Sequence, residues 1–254
     1  MTLIVQHPFV LFVFAVVLIS AAAVLGLRLR TLSAGMEDDA HQDVDLIIGA
    51  TLTLLALIIG FSFSMAISRY DQRKNYEEEE ANAIGTEYAR ASLLANAADT
   101  VQLHSLLKQY LRQRIAFYET TDREKLVATG RETAELQDAM WKIVSDNARA
   151  QGNPVSVLIA SGMNDVLNTQ GYTLAAWLNC IPTAAWALML LIAALGNALV
   201  AYGIHSKKVS VLRLTILPLI LGLALFAIAD IDIPRNGIIL VQAQNLQILA
   251  QSLK

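Results

Sequence analysis

Apolar residues crowd into four stretches of this chain and thin out sharply between the second and the third. Residues 8–27, 46–68, 181–204 and 209–229 each approach or exceed the roughly 20 predominantly apolar residues that carry a helix across a bilayer. Pro8 suits a first helical turn, where its missing N–H costs nothing, and Asp45 is expected to cap the second span. That second span turns abruptly into charge at Arg69. No Gly or Pro stands between Phe61 and Ile84, so one helix is predicted to run out of lipid into water.

Residues 69–180 hold 12 of the 19 basic and 15 of the 22 acidic residues. Their pattern is helical. Leu103, Leu107, Tyr110 and Leu111 recur at helical spacing, as do Leu136, Met140, Ile143 and Val144. Asn153-Pro154 opens a further helix with Val155, Leu158, Ile159, Val166 and Leu167 on its apolar side. Beyond the fourth span, Pro234 and Gly237 mark a turn. Residues 238–253 then read as a short amphipathic helix with Gln242, Leu246, Leu249 and Leu253 near one face. The expected organisation is all-α. Spans one and two occupy 1–68, an extramembrane helical domain 69–180, spans three and four 181–229, and a C-terminal amphipathic helix 230–254.

Composition sharpens this picture. Only 16% of the 254 residues are charged and 55% are hydrophobic, whereas a soluble domain carries about 25% charged residues. The partner this implies is a lipid bilayer. A net charge of −3 leaves no electrostatic footprint for nucleic acid. One cysteine, Cys180, excludes an intrachain disulfide framework and a Cys-based zinc site. The first span ends in Arg28 and Arg30 without a small-residue cleavage site, so it reads as retained. Orientation is balanced under the positive-inside rule: Arg28, Arg30, Lys207, Lys208 and Arg213 on one side oppose Arg69, Arg73, Lys74, Arg90, Arg235 and Lys254 on the other.

Several residues invite a functional reading beside a plainer one. Gly49, Thr53, Ala56, Gly60, Ser64 and Ser68 form a stripe of small residues on the second span, of the kind that lets helices pack closely in lipid. The same side could face a pore. Arg69 and Arg73, one turn apart, could concentrate anions at a pore mouth, pair with Glu77 and Glu80, or snorkel to headgroups. Glu77 to Glu80 could form an acidic ring attracting cations, with Glu80 a further pore-mouth candidate set apart by a motif considered next, although such a run is more often a solvated helix face. Asn197 inside the third span suggests a hydrogen bond between helices. Asp230 and Asp232 fall where the fourth span ends, Trp177 and Trp186 read as interfacial anchors, and the four histidines are too scattered for a metal site.

Three motifs then carry a resemblance: Gly60-Phe61-Ser62-Phe63-Ser64-Met65-Ala66, Ser68-Arg69-Tyr70-Asp71, and Glu80-Ala81-Asn82-Ala83-Ile84-Gly85-Thr86. With Tyr110-Leu111, Tyr118, Leu167-Asn168, Asp232, Pro234 and Gly237, they make the chain resemble the bacterial bestrophin-like family, remotely similar to the bestrophin anion channels. The resemblance implies a homo-oligomer, a pentamer favoured, that passes inorganic ions. It also implies that bulky residues spaced by four along the second span line an apolar neck. Carried through Gly60-Phe61, those positions are Thr53, Leu57 and Phe61. The calcium-binding acidic cluster of animal bestrophins has no counterpart here beyond Asp230 and Asp232.

The expected function is an integral membrane ion channel of the bacterial inner membrane, anion-selective by analogy. The alternative is a non-conducting scaffold or sensor whose helical domain binds a partner. No glycine-rich phosphate loop, His-Glu-x-x-His pattern, nucleophile elbow or pair of intramembrane carboxylates points to an enzyme. No catalytic residue, cofactor or metal is expected.

Overall fold

A computed structural model describes residues 7–32, 38–204 and 211–253. Lys207, Lys208, Lys254, Glu37, His205 and the expected start of the fourth span at 209 lie outside them, as do the side chains of His41 and Arg213. Among the described residues the chain forms eight helices: α1 (Pro8–Leu32), α2 (Asp38–Ala91), α3 (Ala97–Glu119), α4 (Arg123–Gln151), α5 (Pro154–Leu178), α6 (Thr183–Tyr202), α7 (Val211–Asp232) and α8 (Gln244–Ser252). Four apolar helices are long enough to span a bilayer: α1, the first half of α2, α6 and α7. The extramembrane helical domain falls between the second and the third.

α2 has 54 residues, about 80 Å at 1.5 Å per residue, against roughly 30 Å of hydrocarbon. It must leave the membrane. It begins at Asp38, so Asp45 lies inside the helix and is no cap. The local reason is that no Gly or Pro stands between 38 and 46 to break a helix.

The chain divides into two compact units, Met1–Arg69 with Cys180–Leu240, and Tyr70–Asn179 with Val241–Lys254. In the first, α1 packs against both α6 and α7. Gly26 meets the backbone of Ala198 so closely that a methyl group there would collide with its carbonyl oxygen. Gly222 in α7 admits Val16 and Phe12, and Phe226 rests against Phe9 with ring centroids 5.0 Å apart. Asn197 Nδ2 donates to the carbonyl of Ile19 at 2.9 Å, the interhelical hydrogen bond expected of it. Trp186 is completely buried within this unit and is no interfacial anchor.

The second unit has its own core. Leu103, Leu107, Tyr110 and Leu111 of α3 pack with Met140 and Val144 of α4 and with Ile159, Met163 and Val166 of α5. Ile84 of α2 and Leu246 of α8 complete it. Its helices start where side chains can cap them: Asn96, Asp122 and Asn153 each accept from a backbone N–H of the first turn. Gly152, at φ 55°, ends α4 in the left-handed conformation that glycine adopts freely. The C-terminal helix is shorter than expected, beginning at Gln244 instead of 238. The backbone N–H groups of Ile238 and Ile239 donate to the Asp230 carboxylate at 2.6 and 3.0 Å, which holds that segment in a loop.

Substituting Gly26→Ala is expected to destabilise the α1–α6 contact by about 1–3 kcal/mol, the usual cost of overpacking. Asn197→Ala is expected to cost only about 0.6 kcal/mol, as membrane hydrogen bonds do on average. Equilibrium unfolding in mixed micelles checks the order; equal stability of Gly26→Ala and wild type would contradict the contact.

Candidate functional site

α2 carries two rows of residues with different surroundings. Along its apolar half, Leu55 and Ala66 face inward and are buried, while Thr51 and Leu52 pack at Gly196 of α6. Thr53, Leu57 and Phe61 lie on the opposite side, because steps of four residues advance only about 40° around a helix. All three are exposed, Leu57 at 53% and Phe61 at 70%. Gly49, Ala56, Gly60, Ser64 and Ser68 share that outward half and are exposed too. A methyl group added at Gly49 or Gly60 would meet nothing. Only 6% of the apolar window of this span is buried, against 28%, 39% and 44% in the other three. The chain itself leaves this face uncovered.

At the end of that half, Arg69 Nη1 pairs with Asp232 at 3.0 Å. Asp232 also accepts the backbone N–H of Ile181 at 2.7 Å. One carboxylate thus joins α2, the end of α7 and the segment before α6. Asp230 and Asp232, expected at an interface, are almost wholly buried. The reason is that each carboxylate finds backbone or guanidinium donors inside the protein, which makes burial affordable for a charge.

In the extramembrane half the inward row is Arg73, Glu77, Glu80, Ile84, Glu87 and Ala91, all buried. Spacings of four and three put them on one face. Glu77 and Glu80 are therefore not part of a solvated face, whereas Glu78 and Glu79 are exposed. Arg73 donates to the carbonyls of Ala176 and Asn179, each at 3.1 Å. Glu77 accepts from the Leu246 N–H at 2.9 Å and from Asn245 Nδ2 at 2.6 Å. It thereby caps α8 from outside, where Ala243 offers no side-chain acceptor.

Glu80 is the centre of this face. It pairs with Arg114 of α3 and accepts from Tyr118 Oη at 3.3 Å and Thr173 Oγ1 at 3.2 Å. The Arg114 guanidinium lies 4.6 Å from the centroid of Phe117. Burial by itself would favour a neutral Arg114, but the charge and hydrogen bond of Glu80, with Tyr110 and Tyr118, together outweigh it and hold the proton more firmly than usual. Burial, then the Glu80 charge, pushes the phenols of Tyr110 and Tyr118 upward, so both remain protonated. Trp177 packs edge-on against Phe117 and Tyr118, inside the domain and not at a membrane interface. Nothing in the linear sequence pairs Arg114, Tyr118 or Thr173 with Glu80; the four-three spacing of the charged row is the one local signal of its burial.

The profile of the bestrophin-like domain matches residues 11–246. The chain belongs to the bestrophin-like family. Its fold is similar to crystal structures of a bacterial bestrophin homologue from Klebsiella pneumoniae. Two point variants align at TM-scores of 0.65 and 0.66 with 12% and 11% identity, covering 95% of this chain and 97% and 93% of theirs. A further structure of that homologue aligns at 0.61 with 12% identity over 95% of both chains. No protein with a curated description matches. The bestrophin-like chain is an integral membrane protein. Its spans are helices, not the strands of an outer-membrane barrel. Among its described residues, no group of three or more His, Cys, Asp or Glu is placed to hold a metal.

Replacing Arg114 by Ala is expected to cost about 3–5 kcal/mol, because it strands the buried Glu80 charge. Glu80→Gln with Arg114→Met, which removes both charges, should recover much of that loss. Thermal unfolding of the full chain in detergent reads the difference. Near-identical loss in the single and double variants would contradict a paired buried charge.

Proposed function

We propose that this bestrophin-like chain works as a homo-oligomeric ion channel whose second spans surround the pathway. The observation that carries this reading is the uncovered outward half of α2. Lipid alone could cover Leu57 and Phe61, but it gives little reason for Gly49, Thr53, Gly60, Ser64 and Ser68 to share their side. A second copy of the chain accounts for the small residues, since they permit close approach of helices. Rings of Thr53, Leu57 and Phe61 contributed by several copies would form an apolar constriction that gates by dewetting. Packing stripe and pore row overlap only partly around the helix, so both contacts fit one assembly. The family resemblance favours five copies and anions as the conducted species.

Of the three charges proposed for a pore mouth, Arg69 is the most accessible, with 15% of its side chain exposed beside Asp232. Arg73 and Glu80 are enclosed within the helical domain. A charge near the mouth is therefore assigned to Arg69, with Arg73 and Glu80 holding the domain that follows.

Purified protein in liposomes is expected to conduct ions. Phe61→Ala and Leu57→Ala should each raise the flux by removing bulk from the constriction, and Arg69→Gln should lower the preference for chloride over sodium. Mass measurement in detergent should return an oligomer. A monomer without flux across a range of pH would overturn the reading in favour of a non-conducting scaffold.

A further inference from the structure

Glu87 is the one glutamate of the inward row that accepts no hydrogen bond. Its side chain is fully buried, and neither carboxyl oxygen has a hydrogen-bond partner. It lies against Gly162 of α5, where Glu87 Oε2 and Arg90 Nη1 occupy the space a side-chain methyl would need. Any larger residue at 162 would expel one of them. Arg90 and Gly162 also form part of the wall of a polar cleft of about 460 Å³ between α2 and α5, lined further by Asn82, Thr86, Asp165 and Asn168. The buried carboxyl thus sits directly behind an open polar groove.

A buried carboxyl with no donor is tolerable only when neutral. Once charged it must find a cation or water, and both are within reach: Arg90, one turn further along the same helix, brings its Nη1 to the same Gly162 surface, and the cleft opens beside it. The charged groups that act on Glu87 are Arg90 of α2 and Asp165 of α5. Desolvation pushes the Glu87 carboxyl up to about 8; Arg90 opposes this shift and Asp165 adds to it.

We propose that Glu87 is a proton-operated pin between α2 and α5. Protonated, it stays sealed against Gly162. Ionised, it turns toward Arg90 and the cleft water, loosening the seam between the two helices. The sign follows from linkage. A carboxyl whose affinity for its proton is higher in the folded state stabilises the fold when protonated. That contribution shrinks as pH rises above the ordinary carboxylate range of about 4.5 and is lost above about 8.

The test is independent of conduction. Infrared difference spectra of the full chain in detergent should show a protonated-carboxyl band that disappears between pH 7 and 9 and is missing in Glu87→Gln. Removing the like charge in Asp165→Asn should move its midpoint down, and removing the opposite charge in Arg90→Gln should move it up. Protection of α5 amides from hydrogen exchange, taken relative to the base-catalysed intrinsic rate at each pH, should fall through the same range in wild type but not in Glu87→Gln. A band that titrates near 4.5, or a midpoint that neither Asp165→Asn nor Arg90→Gln displaces, would overturn the proposal. So would α5 protection, relative to the intrinsic rate, that falls with pH in Glu87→Gln as it does in wild type.

Discussion

A carboxylate that leaves water must find donors inside the protein, and the helical domain is organised around that requirement at Glu80. Its partners arrive from two other helices: Arg114 and Tyr118 from α3, and Thr173 from α5. Each is positioned by the apolar packing of its own helix, with Tyr110 and Leu111 beside Arg114 and Val166 two turns before Thr173. The pair is therefore a consequence of the core as well as a constraint upon it. A shift of α3 along α2 by one turn would leave two opposite charges buried apart, each costing several kcal/mol. Such a penalty selects one register of α2 against α3, which apolar contacts alone would select less sharply.

The same logic explains the gradation along the inward row. Arg73 finds helix-end carbonyls, Glu77 finds the bare N-terminus of α8, and Glu80 finds a guanidinium. Glu87 finds no hydrogen-bond donor, and burial raises its carboxyl's affinity for a proton against the pull of Arg90. Four ionisable residues on one helix face thus meet burial in four ways, set by what the facing helix presents. In the membrane half no comparable demand exists. Leu55 and Ala66 need only a neighbour of the right shape, and the outward half carries residues too small or too apolar to require any partner within the chain.

Much of the architecture was legible in the linear pattern. Four apolar runs and an uninterrupted stretch from Phe61 to Ile84 lead to spans and to a helix that leaves lipid, because hydrocarbon forces backbone groups to pair within the helix. Asn153-Pro154 announces α5 through local capping chemistry. Local rules were less informative where the deciding partner is far away in sequence. The loop at 238–243 replaces part of an amphipathic pattern because Asp230 takes the amides of Ile238 and Ile239. The tryptophans of the 177–186 segment resembled anchors because composition cannot tell a bilayer interface from a packed aromatic cluster.

Sequence alone determined the number of spans, the continuity of α2 and the shared side of Thr53, Leu57 and Phe61, since hydropathy and helical geometry are properties of neighbouring residues. Only the tertiary structure decided which side of α2 its own chain covers, which glutamates of the acidic run are enclosed, and that Asp232 answers Arg69. Those outcomes depend on residues between 34 and 169 positions apart meeting in space, where burial converts an ordinary surface charge into one that must be paired or neutralised.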